Sequence, residues 1–416
     1  MTSVNILLRR LAYAVGIFFF VWISVATITN TVDVGYDVKV FVKSARLMWN
    51  DHQSPYFTDN PGWSIRYPPW VVPLFVPLAW FSQSSHSQLA WAVGALIALL
   101  YTINWLRRSF IHWGALLLTL TVMFPLFAKH SISGQMILQQ VALCLFLYSS
   151  LNRSPTIKTS LAQSLSFTLI TAKITTALPF VIVIRQLATR RFLFSTLLLW
   201  VTLTSSLLAV VTPSTYSQVF FEWMRAAKNQ IPPDLTFQNQ GIPADIFRLL
   251  LKINPTLSSQ LSIDQRYLII SVLGVIVAVS LGSWLIVRFR KIRLPPQELF
   301  IGLLALVPCV HPLSWYQTFL FSFPFFSSLM NEAFFTPRSD PEKNRHLQNQ
   351  IASFVALIGV SLFTREGLSF LDQVPVIRSW KSFAVLLGLH LYLKLKTHPR
   401  PKEVVQSIQG NDQSIH

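Results

Sequence analysis

Acidic residues and cysteine are scarce in this sequence. Of its 416 residues 16 are Asp or Glu and two are cysteine, and the charged fraction is 12%, about half of the roughly 25% typical of a soluble domain. The low charge argues against an ordinary soluble enzyme, and the cysteine count argues against a disulfide scaffold. The carboxylates form no close cluster suited to a hard metal ion, and GxxxxGK, HExxH and CxxC motifs are missing. We therefore expect neither a metal nor a cofactor.

Apolar and basic residues dominate what is present. Hydrophobic residues make up 52% of the chain, and 34 Lys and Arg give a formal net charge of +18. Many apolar runs approach the length of about 20 residues that a helix needs to cross a bilayer. The predicted spans lie near 11–29, 88–106, 111–128, 134–151, 162–184, 192–212, 266–288, 312–331 and 379–396, with shorter candidates near 68–81, 298–310 and 351–364. The sequence thus predicts an all-α, polytopic integral membrane protein with about twelve transmembrane helices, forming one domain over 1–396, and a mobile cytoplasmic tail over 397–416.

The basic residues orient this predicted bundle. With the N-terminus inside, the inner short segments hold 16 Lys and Arg and the outer short loops hold seven, which agrees with the positive-inside rule. The long loops near 30–67 and 213–265 then face the extracytoplasmic side of the cell membrane. Arg107 and Arg108 run against the rule, because this arrangement places them outside.

The first long loop contains a predicted amphipathic helix. Over 38–49 the apolar residues recur at helical spacing on one face, while Lys39, Lys43, Arg46 and Asn50 occupy the other. A basic face opposite an apolar one is typical of a helix that lies in the membrane interface.

Asp37 stands at the N-terminal edge of that helix, and two interpretations of it are open. As an N-cap it would accept hydrogen bonds from free backbone N–H groups. As a carboxylate at the membrane surface it would take the proton from an attacking hydroxyl. Asp33 is an open alternative for the second role, whereas Asp51 and Asp59 resemble turn residues.

Arg66 and Tyr67 precede two prolines and Trp70 at the mouth of the second predicted span. Tyr and Trp favour the membrane interface, and paired prolines stiffen the start of a helix. Arg66 is either an ordinary anchor that reaches the lipid headgroups or a ligand for a lipid phosphate, which its planar guanidinium suits.

Lys173 and His311 are the ionisable residues that stand out at membrane depth. Lys173 lies about eleven residues into its predicted span, too deep to reach the interface easily, so an anionic partner is expected. His311 and Pro312 interrupt two apolar segments, and irregular backbone at that depth mainly lines cavities. A single histidine is nevertheless more often a hydrogen-bonded structural residue than a catalyst.

Further residues accompany these two. The aromatic pair Trp315 and Tyr316 follows His311 closely. Gln135 and the Asn239-Gln240 pair of the second long loop are further polar candidates, each of which is a weak indication of a site when taken alone.

Taken in chain order, these segments resemble the C-type membrane glycosyltransferases, in particular glycosyltransferase family 87, which includes polyprenyl-phosphate-mannose-dependent mannosyltransferases. The resemblance covers about 30 to 320. The elements that carry it are Asp37, Ser54-Pro55-Tyr56, Tyr67-Pro68-Pro69, Gly134-Gln135, Lys173, Asn239-Gln240-Gly241 and His311-Pro312-Leu313-Ser314-Trp315-Tyr316. The sequence departs from the family pattern in having Gln53-Ser54 where a Gly is usual, and Lys173-Ile174 where a Lys-Pro pair is usual.

The resemblance implies an inverting transfer of one sugar from a polyprenyl monophosphate to a hydroxyl of a lipid or glycan acceptor. It implies that Asp37 is the general base, that His311 contacts the donor phosphate or sugar, and that Arg66 and Lys173 supply charge to the phosphate. Aromatic and polar residues would complete the substrate-binding cavity: Tyr67, Trp315, Tyr316, Asn239 and Gln240. Mannose is the family's best-known sugar, and nothing in the residues selects it over another hexose or a pentose.

Two other functions fit the sequence. A transporter or flippase for an anionic or lipid-linked solute would suit Lys173 and the break at His311, although many transporters show internal repeats and none is visible here. A non-catalytic membrane subunit that binds lipid-linked sugars would differ from the enzyme in that Asp37 is dispensable.

Overall fold

A computed structural model describes most of the chain, and every regular element in that part is helical. This confirms the all-α prediction. The described residues are 3–56, 65–81, 83–109, 111–151, 156–187, 189–211, 215–228, 239, 241–312, 314–336, 343–361 and 380–397. Gln240 and Asp59 and almost all of the predicted tail lie outside these residues.

The α-helices are numbered in chain order. They are α1 Ser3–Asp33, α2 Tyr36–Trp49, α3 Val76–Ala79, α4 Ser84–Arg108, α5 Trp113–Ser133, α6 Ile137–Ser150, α7 Ile157–Ile170, α8 Ile184–Leu187, α9 Arg190–Val210, α10 Tyr216–Lys228, α11 Ile242–Ile253, α12 Thr256–Gln260, α13 Ile263–Ile292, α14 Pro296–Val310, α15 Phe323–Met330, α16 Lys343–Ser361 and α17 Trp380–Thr397. Shorter helical segments complete the described chain: 3₁₀ helices at Val72–Phe75, Ile174–Val183 and Tyr316–Ser322, and a π-helical turn at Asn331–Phe335.

Among the described residues, five helices are long and apolar enough to cross a membrane. They are Tyr13–Asp33, Ser84–Arg108, Trp113–Ser133, Arg190–Val210 and Ile263–Ile292. Three shorter helices are also apolar: Ile137–Ser150, Pro296–Val310 and Leu347–Ser361. The protein is therefore a helical, membrane-embedded chain, and the count of about twelve spans stays a prediction.

The segment predicted as a short span near 68–81 is not a continuous helix. It forms the 3₁₀ helix Val72–Phe75 followed by the single turn of α3, which together extend about 14 Å, less than half of the roughly 30 Å hydrocarbon thickness. Four prolines explain the interruption, since each removes a backbone donor and restricts the preceding residue. They are Pro68, Pro69, Pro73 and Pro77.

The span predicted over 162–184 is two segments joined at a break. Helix α7 ends at Ile170, and the 3₁₀ helix starts at Ile174. Pairs of side chains show that α7 runs parallel to α9, since Ser164 contacts Thr196 at 3.2 Å and Thr168 contacts Trp200 at 2.9 Å. Because α7 and α9 run in the same direction, the 3₁₀ helix between them carries the chain back, and Lys173 lies at the turn.

Contacts between distant segments define the two ends of the helical bundle. At one end, the C-terminus of α1 is bonded to that of α5 through Thr31 Oγ1 and the Ser131 carbonyl, 3.1 Å apart. At the other end, Lys396 of α17 forms ion pairs with Glu298 and Glu332 at 2.9 and 3.1 Å. Gln297 bonds to Ser109 there, so the end of α4 that carries Arg107 and Arg108 lies at the end opposite to α2.

Candidate active site

The predicted amphipathic helix is present as α2, but Asp37 is not its N-cap. Gly35 occupies the N-cap position and no side chain caps the helix, so the N-cap interpretation is wrong and the Asp37 carboxylate is available for other contacts. The apolar face is buried against other parts of the protein rather than lying free, and its buried residues include Val38, Phe41, Val42, Ala45 and Met48. Three of these, Phe41, Ala45 and Met48, pack in a hydrophobic cluster with Val72 and Phe75.

Two glycines bring the start of α2 against the turn between α5 and α6. Gly35 and Gly134 both have positive φ, of 36° and 66°, a region in which other residues are strained. A Cβ on Gly134 would lie 2.6 Å from Val38 Cγ2 and 3.3 Å from the Gly35 Cα. This close approach places Gln135, the next residue, beside Asp37.

Asp37 is half-buried among two cations and an amide. Burial raises the pKa of its carboxyl above the ordinary value of 3.8, because a charged carboxylate loses hydration. Lys173, a hydrogen bond from the Gln135 side chain, and Arg66 act in the opposite direction. The result is a carboxylate that is a stronger base than that of an exposed Asp and that is oriented by its hydrogen bond with Gln135. Asp33, by contrast, is exposed.

Lys173 reaches this cluster from the break between α7 and the 3₁₀ helix. Its backbone is extended, with φ −124° and ψ 108°, and its side chain is half-buried. The ammonium donates a hydrogen bond to Gln135 Oε1 at 3.4 Å, so one amide contacts both Lys173 and Asp37. The electrostatic contact of Lys173 with Asp37 gives the buried cation the anionic partner that the sequence predicted.

Arg66 and Tyr67 complete the cluster from the loop before the first 3₁₀ helix. The Arg66 carbonyl accepts a hydrogen bond from Trp223 Nε1 at 3.1 Å, and the Tyr67 carbonyl accepts one from the Tyr56 hydroxyl at 2.9 Å. The Tyr67 ring packs on Phe41 of α2, with 5.5 Å between centroids. Burial lowers the pKa of the Arg66 guanidinium, and the nearby Tyr267 and Asp37 oppose that shift.

A second group of predicted residues is organised around Asn239. Its amide nitrogen donates to the Pro312 carbonyl at 2.7 Å, and its amide oxygen accepts from the Ser314 N–H at 2.9 Å and the Gly241 N–H at 3.1 Å. These bonds hold the irregular backbone that follows α14, where His311 is the half-buried C-cap. Asn239 thus determines the path of the His311 loop.

Trp315 and Tyr316 follow that loop at the start of the 3₁₀ helix Tyr316–Ser322. Trp315 is half-buried and Tyr316 is buried. The ring of Tyr316 faces the ammonium of Lys381, 5.3 Å from its centroid. Lys381 is fully buried and donates to the Val360 carbonyl at 2.6 Å.

The structure therefore divides the predicted site residues into two groups. The first cluster contains Asp37, Arg66, Tyr67 and Lys173. The second group surrounds one loop and contains Asn239, His311, Trp315 and Tyr316. Helix α13 contacts both groups. Tyr267 on this helix interacts with Arg66, and two turns further along a Cβ on Gly274 would lie 2.9 Å from the Val310 carbonyl and 3.5 Å from Pro312.

Sequence reasoning missed three side chains that belong to these groups. His130 is buried next to Gln135 and Lys173, Tyr267 faces Arg66, and Lys381 lies under Tyr316. His130 and Lys381 lie near the ends of apolar runs, where interfacial anchoring explains them equally well, and Tyr267 carries no sequence signal at all. Within the described ranges no group of three or more His, Cys, Asp and Glu is placed to hold a metal ion.

Comparison with known proteins identifies the family. The sequence profile of glycosyltransferase family 87 matches residues 65–312, more than half of the chain. The chain belongs to glycosyltransferase family 87. The suspected resemblance is thereby confirmed, and with it glycosyltransferase activity in general. No curated protein and no solved structure matches the chain.

The matched range of this family 87 glycosyltransferase contains most of the predicted site residues. Arg66, Tyr67, Lys173, Asn239, Gln240 and His311 fall inside 65–312. Asp37, Trp315 and Tyr316 fall outside it.

A cavity of about 820 Å³ lies between α10 and α13, and its lining combines polar side chains with the apolar Phe221 and Met224. Gln218, Glu222 and Arg225 of α10 line it together with Asp264 of α13. Trp223, the neighbour of Glu222, is bonded to Arg66, and Tyr267 lies one helical turn after Asp264. These two links indicate that the cavity lies on the Arg66 side of the first cluster.

Proposed function

We propose that this glycosyltransferase moves one sugar from a polyprenyl monophosphate donor to a hydroxyl of a lipid or glycan acceptor, on the extracytoplasmic side and with inversion, and that Asp37 is the general base. The observation that supports this most strongly is the position of Asp37: a half-buried carboxylate that interacts with Lys173, Gln135 and Arg66. A carboxyl with a raised pKa can accept a proton, and the adjacent cations suit a leaving phosphate.

In the proposed reaction the acceptor hydroxyl gives its proton to the Asp37 carboxylate as its oxygen attacks the anomeric carbon of the sugar. The bond from that carbon to the phosphate oxygen breaks, and its electron pair leaves with polyprenyl phosphate. One bond forms on the face opposite to the one that breaks, which inverts the anomeric configuration. Proton transfer by a placed carboxyl of this kind contributes about 10²- to 10⁴-fold in rate.

Arg66 and Lys173 are proposed to stabilise the negative charge that develops on the leaving phosphate. Both lie next to Asp37, and fixed cations stabilise a developing negative charge better than water does in a partly dehydrated site. Gln135 would keep the Lys173 ammonium and the Asp37 carboxylate apart, so that neither is neutralised by a direct ion pair.

The loop around His311 is proposed to contact the donor sugar or phosphate, with Trp315 and Tyr316 shaping the cavity. Both ends of the Asn239 amide are engaged by the backbone of this loop, which supports a positioning role for Asn239 rather than contact with substrate. The cavity between α10 and α13 is the proposed place of the acceptor, since Gln218, Glu222 and Asp264 in its lining suit sugar hydroxyls.

The helix contacts support a membrane topology with twelve crossings, the same number as predicted from the sequence but with different segments. In this topology 68–81 does not cross the membrane, and 162–184 crosses it twice, once as α7 and once as the 3₁₀ helix that follows. Arg107, Arg108, Arg153 and Lys158 then move inside, so that the inner segments hold twenty Lys and Arg and the outer short loops hold three. This distribution follows the positive-inside rule more closely than the one expected from sequence, and it supports the proposal that Asp37 lies outside, at the cell membrane surface.

The test is sugar transfer by the purified protein in liposomes. Polyprenyl-phosphate-linked mannose and polyprenyl-phosphate-linked arabinose are compared as donors, with GDP-mannose as a nucleotide-linked control, and the product anomer is determined by NMR. We expect transfer from one polyprenyl donor with inversion, and a loss of at least about a hundredfold in Asp37→Asn. Asp33→Asn is the matched control and should retain activity.

Two results would contradict the proposal. Transfer from GDP-mannose alone would show that the donor is not lipid-linked. Wild-type activity in Asp37→Asn would show that Asp37 is not the general base. If neither polyprenyl donor is consumed but both bind, a non-catalytic subunit becomes the better description of the chain. Downhill movement of a labelled polyprenyl-phosphate sugar across the liposome, without transfer, would support a flippase.

A further inference from the structure

A cavity of about 290 Å³ lies between α2 and the start of α4. Its lining includes three basic residues of α2 and two polar residues of α4: Lys39, Lys43, Arg46, Ser84 and Gln88. At about 100° per residue, Arg46 lies about 180° and Lys39 about 200° around the helix axis from Asp37. This α2–α4 pocket is therefore distinct from the Asp37 cluster and lies on the opposite face of the same helix.

The charges in the α2–α4 pocket favour an anion. Three cations face one carboxylate, that of Asp51. The Arg46 guanidinium is oriented by hydrogen bonds to the Phe81 carbonyl at 3.0 Å and to Ser84 Oγ at 3.5 Å. Lys39 donates to the Asp33 carbonyl at 3.2 Å, an uncharged acceptor, so its positive charge is not neutralised by that contact.

The N-terminus of α4 adds a partial positive charge to the same place. This helix is 25 residues long, its N-cap Gln83 makes no side-chain capping bond, and its first turn contains no acidic residue. The N–H groups of the first turn therefore have no capping side chain as acceptor, and the helix dipole directs its positive end toward the pocket. Such a helix end is suited to phosphate.

Gln88 provides an independent indication that the pocket is a ligand site. Its side chain lines the pocket but only 3% of the residue is exposed. Within the described part of the chain, its amide nitrogen has no hydrogen-bond partner. Buried donors are nearly always satisfied, and an oxygen atom of a ligand in the pocket would satisfy this one.

The surroundings of the pocket indicate that the anion belongs to a lipid. Trp80 and Phe81 just before α4 are 68% and 40% exposed, and Trp49 at the end of α2 is 46% exposed. Exposed tryptophans are typical of the depth of lipid headgroups. An exposed apolar stripe then runs along α4 away from the pocket: Leu89, Val93, Ile97 and Leu100. Acyl chains would lie along that stripe while the headgroup occupies the pocket.

From these observations we infer that the α2–α4 pocket binds the phosphate of an anionic phospholipid headgroup, in addition to the phosphate that the Asp37 cluster is proposed to bind. Lys39, Lys43 and Arg46 would contact the phosphate oxygens, and Gln88 would donate to one of them. Asp51 would accept from a hydroxyl of a polyol headgroup. The inference does not depend on the proposed sugar transfer, because it concerns binding at a separate face of α2.

The experiment measures lipid binding to the full-length protein in detergent by native mass spectrometry. Phosphatidylglycerol, phosphatidylcholine and inorganic phosphate are the probes. We expect phosphatidylglycerol to bind more tightly than phosphatidylcholine, and the double variant Lys39→Gln, Lys43→Gln to weaken it about tenfold. The control is Lys252→Gln, which removes an exposed lysine of α11 and should leave binding unchanged. Because Lys43 is exposed, Lys43→Gln alone provides a variant that does not disturb folding and should still weaken binding.

Three results from the phospholipid comparison would overturn the inference. They are equal affinity for the two phospholipids, an equal loss of affinity in Lys252→Gln, and unchanged binding in both lysine variants. The inorganic phosphate arm separates the two sources of the anion. Millimolar phosphate that displaces phosphatidylglycerol completely would show that the pocket takes free phosphate and would overturn its assignment to a lipid, whereas failure to displace it would support the contribution of the acyl chains.

Discussion

The carboxylate of Asp37 and the ammonium of Lys173 contact the same side chain, the amide of Gln135. The amide lies between them because Gly134, with φ +66°, turns the chain at the end of α5. Direct pairing would hold the carboxylate in a tight ion pair and lower its basicity. An amide between the two charges leaves a base and a cation side by side, which is the arrangement that a transfer from phosphate to a hydroxyl requires.

The pH dependence of transfer should reveal the raised pKa of Asp37. Below that pKa the carboxyl is protonated and cannot accept the proton of the acceptor hydroxyl. Activity should therefore fall on the acid side at a pH above 3.8, the ordinary value for Asp. A sugar phosphodiester is a strong acid and does not titrate in this range, so the acid limb belongs to the enzyme.

This prediction is checked by the pH profile of kcat/KM in liposomes. In Lys173→Met the limb should move to higher pH, because Lys173 lowers the pKa of Asp37. His311→Gln should leave the limb in place, which separates the carboxyl from the histidine. A limb that vanishes in His311→Gln would assign the titration to His311 instead.

Removing the charge of Lys173 should weaken binding of the donor. We expect Lys173→Met to raise the donor KM about tenfold or more, since one charge-assisted contact to phosphate is lost, while Lys173→Arg retains part of the affinity. Lys129→Met is the matched control, because Lys129 is half-buried near the end of α5 and has no assigned contact with the donor. The measurement is transfer rate against donor concentration, and an unchanged KM in Lys173→Met would return this lysine to a structural role.

Gly134→Ala should reduce both stability and turnover. The new Cβ would lie 2.6 Å from Val38 Cγ2 and the backbone has φ +66°, so α2 must shift or the turn must rearrange, at a cost of about 1–3 kcal/mol. Either movement displaces Gln135 from Asp37. Gly94→Ala is the control, since nothing lies within 4 Å of its Cβ, and in a helix it should be neutral or stabilising by about 0.5–1 kcal/mol.

The midpoint of thermal denaturation in detergent and the rate at saturating donor check this prediction together. We expect both to fall in Gly134→Ala and neither in Gly94→Ala. Full turnover in a destabilised Gly134→Ala protein would show that the contact between the two glycines contributes to stability but does not position Gln135.

The sequence predicted the helical class and α2, because apolar runs and helical spacing are local properties. The expectation that Asp37, Arg66 and Lys173 share a site came from the family resemblance, and the structure has the three side chains interact. The sequence did not predict that Lys173 lies at a break. The apolar residues Ile174–Val183 read as a continuation of the preceding helix, and only packing against neighbouring helices distinguishes one long span from two short ones. Gln135 was a weak candidate in the sequence, and its importance arises from the contact of Gly134 with α2.

The membrane topology depends on whether the segment 68–81 crosses the membrane. One labelling experiment distinguishes the arrangement with this span from the arrangement without it. When 68–81 counts as a span, position 108 is extracytoplasmic. Without that span it is cytoplasmic, as the bond between Gln297 and Ser109 at the end opposite to α2 supports.

The natural cysteines, Cys144 and Cys309, are buried and should not react with a membrane-impermeant maleimide. We expect Asn50→Cys to be labelled in intact cells and Arg108→Cys only after permeabilisation, since both positions are exposed. The contact between Arg46 and Ser84 supports the arrangement without a span at 68–81, because it keeps α2 and the start of α4 on the same side of the membrane. Labelling of Arg108→Cys in intact cells would contradict this arrangement and restore the span.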